Sequence, residues 1–381
     1  MPRQVKRRIA ILTGGGDAPG LNAAIRAATR HAIFTLGWEV LGVRNGFNGF
    51  LEPDGVFPLT LDMVRGILPL GGTILGAANR GNPFAQEMVV DGRKVVVDVS
   101  DRIVQRIHEL NLDAVLVTGG DGTLGAAWDL FRKGAPIIGI PKTIDNDVPG
   151  TDFTIGFDTA VSVAAEALDR LHTTAESHHR VMVVELMGRD AGFIALHAGI
   201  AGGADIILLP EIPFHYEVLA AKVLGRIRRG RMFSIVAVAE GAHPVGGQKV
   251  YRQPGDSLVE ARLGGISLQV ADYIAQATGT ETRALILGHL QRGGTPTARD
   301  RLLATMFATE AVRLVQQGKL GYMVALRGTR VEPLPLEEML AQRPKRVHPE
   351  DDTVQAARAI GTVFGDEIDR LTGTRPLAQE E

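Results

Sequence analysis

The 381 residues (40.7 kDa) are 45% hydrophobic and 22% charged, which is typical of one large or two medium-sized globular domains and excludes a disordered chain. Lysine and arginine together number 41, and aspartate and glutamate 43, so no global basic field would attract nucleic acid or an acidic membrane surface. The chain has no cysteine, no apolar run of the roughly 18 residues that span a bilayer and no signal-peptide cleavage site. We therefore expect a cytoplasmic protein without disulfides or thiolate metal sites.

The first part of the chain reads as a strand, a glycine-rich loop and a helix, three times in succession. Ile9–Thr13 is an apolar strand, and Leu21–Leu36 carries helical periodicity after the loop 14–20. In the second unit, strand Ala114–Thr118 leads into helix Leu124–Lys133, with Thr123 as a predicted N-cap. In the third unit, strand Pro136–Ile140 is followed by a Pro-bounded loop and a helix over about 158–171. These units predict parallel strands joined by helices.

The same order recurs to the end of the chain. Further strands are predicted at Val181–Met187, Ile206–Leu209, Ser234–Ala239, Thr282–Leu287 and Tyr322–Arg327. Further helices are predicted at Tyr216–Arg229, Leu263–Ala277 and Arg299–Val315. The alternation predicts an α/β fold with mostly parallel sheets covered on both faces, and in such sheets ligands bind at the carboxyl ends of strands. Two segments look peripheral to this core, a hairpin around Asp91-Gly92 within Glu87–Asp98 and the charged tail after Arg343.

The loop Gly119–Thr123 is suited to binding phosphate. Its glycines let the backbone approach an anion, and the following helix N-terminus supplies positive potential. Asp121 would repel a polyphosphate unless a hard cation lies between them, so we expect it to hold Mg²⁺. The alternative, a plain N-cap aspartate in a tight turn, is equally compatible with this loop taken alone.

The next loop, Thr143–Asp147, contains two carboxylates two residues apart. Taken alone it reads as a solvated turn, since Asp and Asn are favoured there. It follows the neighbouring strand, however, so both loops should open at the same edge of the sheet. One carboxylate beside a metal and one beside an acceptor hydroxyl is the arrangement that phosphoryl transfer requires, and Lys142 could neutralise the transferred group.

Three more predicted strand ends carry polar groups next to glycine. Gly288, His289, Gln291 and Arg292 follow the strand at 282–287, Met187-Gly188-Arg189 ends the strand at 181–187, and Glu240 ends the strand at 234–239. Arginine and histidine bind phosphate by charge-assisted hydrogen bonds. The clusters together predict a cleft for a phosphorylated, hydroxyl-rich molecule.

With these motifs in view, the chain resembles the bacterial phosphofructokinase A family of 6-phosphofructokinases. The resemblance rests on LTGGGDAPGLNAAIRA, GGTILGAANR, VTGGDGT, PKTIDNDVPGTDFTIGFDTA, VELMGRDAGFIALHAGIAGGAD and LGHLQRGGTP, from about Ile9 to about Arg327. It implies two Rossmann-like three-layer lobes: a nucleotide-binding lobe of 1–156 plus about 291–341, and a sugar-phosphate-binding lobe of 157–290 plus about 342–381. It also implies a homotetramer whose active sites are shared between subunits.

The resemblance implies roles for particular residues. The nucleotide would be bound by Gly15, Arg80, Gly120, Asp121, Gly122 and Thr123, with Asp121 on Mg²⁺. Fructose 6-phosphate would be bound by Thr143, Ile144, Asp145, Met187, Gly188, Arg189, Glu240, His289, Leu290, Gln291 and Arg292, and by Arg180 and Arg283 of a neighbouring subunit. Asp145 would be the general base for the sugar's 1-hydroxyl, assisted by Asp147, while Arg189 and Arg292 would stabilise the transition state. Arg26 and Arg30 match a position that binds a regulatory phosphate.

The phosphoryl donor is predicted from two positions. Glycine at 122 leaves room for the α-phosphate of ATP, whereas aspartate there accompanies pyrophosphate in the family. Lysine at 142 is the residue of the pyrophosphate enzymes, so the pair resembles the mixed-substrate subgroup. Because a missing side chain permits ATP and a lysine does not forbid it, we expect ATP as the donor, with pyrophosphate as the alternative.

Two other classes of function are weighed against this interpretation. An NAD-kinase-like enzyme would share Gly119–Thr123 but has no reason to carry Thr143–Asp147 and Gly288–Gly294. A catalytically inactive sensor of nucleotide or sugar phosphate would have lost the base or the metal ligand, yet Asp145 and Asp121 are both present.

Overall fold

The computed structural model describes residues 6–78, 81–90, 93–253, 262–342 and 344–368. Arg80, expected at the nucleotide, lies outside these ranges, as do Asp91, Gly92 and the end of the tail after Ile368. Within the described ranges, no helix combines the length and the apolar character needed to cross a membrane.

The described residues alternate between strands and helices. The strands, in chain order, are β1 (Arg8–Thr13), β2 (Glu39–Val43), β3 (Val56–Pro58), β4 (Gln86–Val90), β5 (Arg93–Val97), β6 (Ala114–Gly119), β7 (Ile137–Pro141), β8 (Val181–Leu186), β9 (Ile206–Leu208), β10 (Ser234–Ala239), β11 (Tyr251–Gln253), β12 (Arg262–Leu263), β13 (Thr282–Ile286), β14 (Tyr322–Arg327) and β15 (Arg330–Pro335). The α-helices are α1 (Leu21–Arg30), α2 (Ser100–Glu109), α3 (Asp121–Arg132), α4 (Phe157–His178), α5 (Phe193–Ala201), α6 (Tyr216–Arg228), α7 (Ile266–Thr278), α8 (Ala298–Gln316), α9 (Leu336–Ala341) and α10 (Asp352–Ala359).

The chain divides into two compact units. The first contains Met1–Thr159 and Arg292–Lys345, and the second contains Ala160–Gln291 and Arg346–Glu381. The expected division of labour, nucleotide in one lobe and sugar phosphate in the other, stays a prediction.

The first unit is built on a seven-stranded sheet in the order β15-β14-β7-β6-β1-β2-β3. The five central strands pair in parallel, and antiparallel pairing occurs only where β3 and β15 form the edges. The expected α/β fold with a mostly parallel sheet is therefore confirmed. Because β7, β6 and β1 are neighbours in the sheet, the loops that follow them open at one edge.

Alternation along the strands explains why this sheet is covered on both faces. Ile9 and Ile11 of β1 pack into one hydrophobic core with helices α1 and α8. Ala10 and Leu12 of the same strand pack into a second core with α2, α3 and α9. Successive side chains of a strand point to opposite faces, so a continuous apolar run such as that of β1 requires a core on each side.

The second unit has a smaller sheet in the order β13-β8-β10-β9, with every pair parallel. β8, in the interior of this sheet, is buried at Val181 and Val183 together with residues of α6 and α7. β13 is an edge strand on which Arg283 and Leu285 are exposed. The carboxyl ends of β13, β8 and β10 meet at one edge, where the polar clusters of this unit were predicted.

Several helix bounds differ from those predicted. The first helix leaves α geometry after Arg30 and continues as one π-helical turn, His31–Thr35. α4 runs on to His178, seven residues beyond the predicted end. The hairpin within Glu87–Asp98 is confirmed by the antiparallel pairing of β4 with β5, although its turn lies outside the described residues.

Candidate active site

Three loops converge at the carboxyl edge of the seven-stranded sheet. Gly14–Asp17 follows β1, Gly120 separates β6 from α3, and Lys142–Asp147 follows β7. Backbone hydrogen bonds tie them together: the N–H of Gly14 donates to the carbonyl of Thr118 (2.9 Å), and the N–H of Lys142 donates to that of Gly119 (2.9 Å).

The side chain of Thr123 lies between Gly14, which follows β1, and Gly119, the last residue of β6. A Cβ at Gly14 would lie 2.6 Å from the Thr123 Cγ2, and a Cβ at Gly119 would lie 2.4 Å from it. Contacts that short do not occur between real side chains, so both glycines are required by the position of Thr123. The threonine methyl group therefore sets the spacing of the loops.

The N-terminus of α3 differs from the prediction. The helix begins at Asp121 with Gly120 as its N-cap, so the expected N-cap role of Thr123 is wrong. The glycines at 120 and 122 allow the backbone to enter the helix three residues earlier than hydrophobic periodicity alone indicated. As a result the N–H groups of 121–123 lie in the first helical turn, where no intrahelical carbonyl can accept from them. The N–H of Gly122 donates to the Asp121 carboxylate (2.7 Å), and those of Asp121 and Thr123 face the position where an anion binds at a helix N-terminus.

Gly122 faces open space. No atom lies within 4 Å of the position that a Cβ would take there, and its backbone is outside the left-handed region. The fold itself therefore does not require glycine at this position. The missing side chain leaves room above the first turn of α3.

Lys142 is buried with only 3% of its surface exposed. Its ammonium group donates a hydrogen bond to the carbonyl oxygen of Gly16, joining the loop after β7 to the loop after β1. Burial, reinforced by the charge of Arg292, lowers the pKa of Lys142 to about 8, although Asp17, Asp145 and Asp147 favour the charged form. The three carboxylates thus offset only part of the effect that burial and Arg292 have on the charged form of Lys142.

Arg292 lies against the same loop. One of its guanidinium nitrogens donates to the carbonyl of Asp17 (3.1 Å), and a Cβ at Gly16 would lie 2.8 Å from that nitrogen. Two cations, Lys142 and Arg292, therefore lie on the backbone of Gly16-Asp17. Cations on a glycine-rich loop beside a helix N-terminus form a strong anion site.

The loop after β7 places its two carboxylates on either side of a kink. Asn146 has a φ of 55°, and its side chain bonds the carbonyl of Asp152 (3.2 Å) and the N–H of Thr154 (3.1 Å), which fixes the kink. Burial, with added repulsion from Asp145 and Asp121, raises the pKa of Asp147 to about 7. Its Oδ1 is buried without a hydrogen-bond partner.

These carboxylates fit a divalent cation chemically. Asp121 and Asp145 both act on Asp147 through their charge, and a cation among them would relieve that repulsion. Within the described ranges, however, no three acidic or histidine side chains come close enough to form a metal site by themselves. Any Mg²⁺ here would need further oxygen ligands from a bound phosphate or from water.

Two of the residues expected to bind substrate have fully buried side chains. Ile144 is fully buried, so only its backbone could contact a ligand. Gln291 is also fully buried: its side chain accepts from the N–H of Met187 (3.3 Å) and donates to the carbonyl of Gly288 (3.1 Å). By contrast, His289 and Leu290 are exposed on the same 3₁₀ turn.

In the second unit, the carboxyl edge brings together the ends of β8 and β10. The N–H of Glu240 donates to the carbonyl of Leu186 (2.8 Å), and the N–H of Gly241 donates to that of Gly188 (3.3 Å). A Cβ at Gly241 would lie 2.0 Å from the carbonyl oxygen of Arg189, so the two strand ends touch through their backbones. Met187, Gly188, Arg189 and Glu240 form one cluster.

Arg180 and Arg283 lie at the opposite end of this sheet. Arg180 precedes β8 and Arg283 is the second residue of β13, and both pair with Glu281 (2.9 and 2.6 Å). Arg180 is seven residues before Met187, which is roughly 23 Å along a strand at about 3.3 Å per residue. These two arginines are therefore not part of the cluster formed by their own chain.

Comparisons with known proteins agree on one family. The family model described as Phosphofructokinase matches residues 8–315. The chain is 50% identical to the ATP-dependent 6-phosphofructokinase of Chloroflexus aggregans, over 95% of this chain and 99% of the relative. It is also 50% identical to the pyrophosphate–fructose 6-phosphate 1-phosphotransferase of Amycolatopsis mediterranei, over 88% of this chain and 95% of the relative. Among solved structures, phosphofructokinase from Saccharomyces cerevisiae matches with a TM-score of 0.75 and 32% identity, over 88% of this chain and 45% of the yeast chain.

The lowered pKa of Lys142 can be measured by NMR. In protein labelled with [¹³C]lysine, one ε-carbon should titrate with a pKa of about 8 because burial destabilises the ammonium form. The Lys142→Met variant assigns the signal by removing it. Titration of every lysine near the ordinary value would contradict the described environment of Lys142.

Proposed function

The chain belongs to the phosphofructokinase family, and from that premise we propose that it transfers the terminal phosphoryl group of ATP to the 1-hydroxyl of fructose 6-phosphate. The product is fructose 1,6-bisphosphate. The observation that carries the proposal is the convergence of the loops after β1, β6 and β7, which place Lys142 and the carboxylates at one edge of the sheet, with Arg292 bound to the loop after β1. Phosphoryl transfer is catalysed by this combination of cations for the transferred group and a carboxylate for the attacking hydroxyl.

The donor phosphates would lie on the first turn of α3. The N–H groups of Asp121 and Thr123 and the ammonium group of Lys142 would bind them, with Gly15 lining the site. Asp121 would hold Mg²⁺ together with phosphate oxygens, and the bound metal would neutralise charge on the donor. Because the ammonium form of Lys142 is lost above its pKa of about 8, donor binding should weaken as the pH rises through that value.

Asp145 is the proposed general base for the sugar's 1-hydroxyl. Its loop follows the same strand as Lys142, so the base and the cation share one rigid support. Asp147 would assist: with a pKa raised to about 7, it exchanges protons with its surroundings at neutral pH. Thr143 would help to orient the reacting groups, since its hydroxyl accepts a hydrogen bond from the N–H of Asp145 (3.2 Å).

The sugar phosphate would be bound by Met187, Gly188, Arg189, Glu240 and His289, with Arg189 and Arg292 also stabilising the transition state. Arg180 and Arg283 lie at the other end of the small sheet, which supports the proposal that they serve the active site of a neighbouring subunit in a homotetramer. The expected cytoplasmic location stays a prediction.

A regulatory phosphate site is also proposed, at the first helix. Arg26 and Arg30 line a cavity of about 460 Å³ between the first helix with its π-turn and α8. Arg313 of α8 adds a third cation to the lining. Three arginines around one cavity favour a phosphate-bearing effector.

Pyrophosphate is the second candidate donor, and Lys142 is the observation that favours it. The lysine lies on the phosphate loop itself, and the Amycolatopsis relative carries the name of a pyrophosphate enzyme. Gly122 favours ATP because a glycine there leaves the space beside it open for the α-phosphate.

The donor assignment predicts the outcome of Gly122→Asp. A carboxylate in the open space would repel and obstruct the α-phosphate, so the rate with ATP should fall by at least about 10³, while any activity with pyrophosphate should persist. Gly122→Ala adds volume without charge and should cause a smaller loss. The measurement is fructose 1,6-bisphosphate formation with Mg²⁺ and fructose 6-phosphate, with each donor offered separately. Wild-type rates with ATP in Gly122→Asp would refute the steric argument, and no product from the wild type with either donor would refute the proposed function.

The base assignment predicts the outcome of Asp145→Ser. The kcat should fall by about 10²–10⁴ because the 1-hydroxyl loses its proton acceptor, while the dissociation constant for fructose 6-phosphate, measured by calorimetry, should change little. Asp147→Ser is the matched variant in the same loop and should lower kcat much less. If the Asp147 variant is the more impaired of the two, Asp147 is the base.

A further inference from the structure

A lysine that the sequence patterns did not single out contacts the cluster at the end of β8. Lys249 lies in the segment between β10 and β11, and its side chain is 23% exposed. Its ammonium group donates to the carbonyl oxygen of Arg189 (2.8 Å) and to the carboxylate of Asp190. One side chain thus holds both the backbone of Arg189 and its charged neighbour.

Asp190 lies between two cations. Its Oδ1 contacts the Lys249 ammonium group, and its Oδ2 is 3.7 Å from the Nε of Arg189. Burial alone would raise the pKa of Asp190, but Lys249, Arg189 and Arg346 outweigh it and lower the pKa. The carboxylate is therefore charged at neutral pH, and the closer of its two contacts is with Lys249.

The negative charge of Asp190 is important because Arg189 is next to it in the chain. A carboxylate adjacent to a phosphate-binding arginine competes with the phosphate for the guanidinium and repels the dianion. Lys249 contacts Asp190 more closely than Arg189 does; without Lys249, the carboxylate would be offset by Arg189 and Arg346 alone, and would draw the Arg189 guanidinium away from a phosphate. The backbone contact of Gly241 with Arg189 keeps the segment that carries Lys249 close to this turn.

We propose that Lys249 is a positioning residue for substrate binding: it neutralises Asp190 and fixes the backbone of Arg189, so that the Arg189 guanidinium binds the phosphate of the sugar. This inference rests on the proposed function, which assigns Arg189 to fructose 6-phosphate. Lys249 acts through its neighbours and needs no contact with the substrate.

The test is a charge-restoring double variant. Lys249→Met should raise the dissociation constant and the KM for fructose 6-phosphate by about tenfold, with kcat changed less than about threefold. Lys249→Met combined with Asp190→Asn removes one cation and one anion, which restores the net charge of the wild-type cluster, and should return both constants to within about threefold of the wild type. Lys249→Arg should also preserve binding. Binding is measured by calorimetry without donor, and folding is checked by thermal unfolding.

A second lysine provides the control. Lys222 of α6 also donates to a backbone carbonyl, that of Gly361 (2.6 Å), so Lys222→Met removes a comparable bond and should leave the KM for fructose 6-phosphate unchanged. Unchanged binding in Lys249→Met, or a defect that the double variant does not repair, would overturn the role of Lys249. Absence of fructose 6-phosphate binding in the wild type would instead overturn the proposed function, and the role of Lys249 with it.

Discussion

The bond between the buried ammonium group of Lys142 and the carbonyl of Gly16 is the contact on which the candidate site depends. It joins the loop after β7 to the loop after β1, across the intervening strand β6. Thr123, which follows β6, fills the remaining space against Gly14 and Gly119. One cation and one methyl group thus lie between the three loops, and the methyl group accounts for the glycines at 14 and 119.

Burying a lysine is unfavourable, and this burial is the main cause of the lowered pKa of Lys142. The compensation comes from Asp17, Asp145 and Asp147, which favour its charged form, while Arg292 opposes it. A site with two cations close together gains stability when an anion binds, so the mutual repulsion of Lys142 and Arg292 favours a polyphosphate. The carboxylates repel one another in the same way: burial and the charges of Asp145 and Asp121 raise the pKa of Asp147.

The sequence patterns predicted the strands well because these strands are buried on both faces and appear as continuous apolar runs, as at Ile9–Thr13. They also predicted the convergence of loops, since parallel neighbours end at one edge. The predicted start of α3, Leu124, was wrong because hydrophobic periodicity does not register glycines. The first three residues of the helix, Asp121–Thr123, include a glycine and no apolar side chain that would extend the pattern. Lys249 was missed because its contact with Asp190 spans 59 residues of sequence, and a lone lysine in a polar segment carries no pattern. The burial of Gln291 could not be predicted either, since one of its two hydrogen-bond partners, Met187, lies at the end of a different strand.

A crystal structure with Mg²⁺ and a non-hydrolysable ATP analogue tests the central claim most directly, namely that the loops after β1, β6 and β7 form one phosphate site. The β- and γ-phosphates should accept hydrogen bonds from the N–H groups at the start of α3 and from Lys142, with the α-phosphate beside Gly122 and Mg²⁺ on Asp121. Phosphates bound away from these loops, or a Lys142 ammonium group turned away from them, would contradict the account.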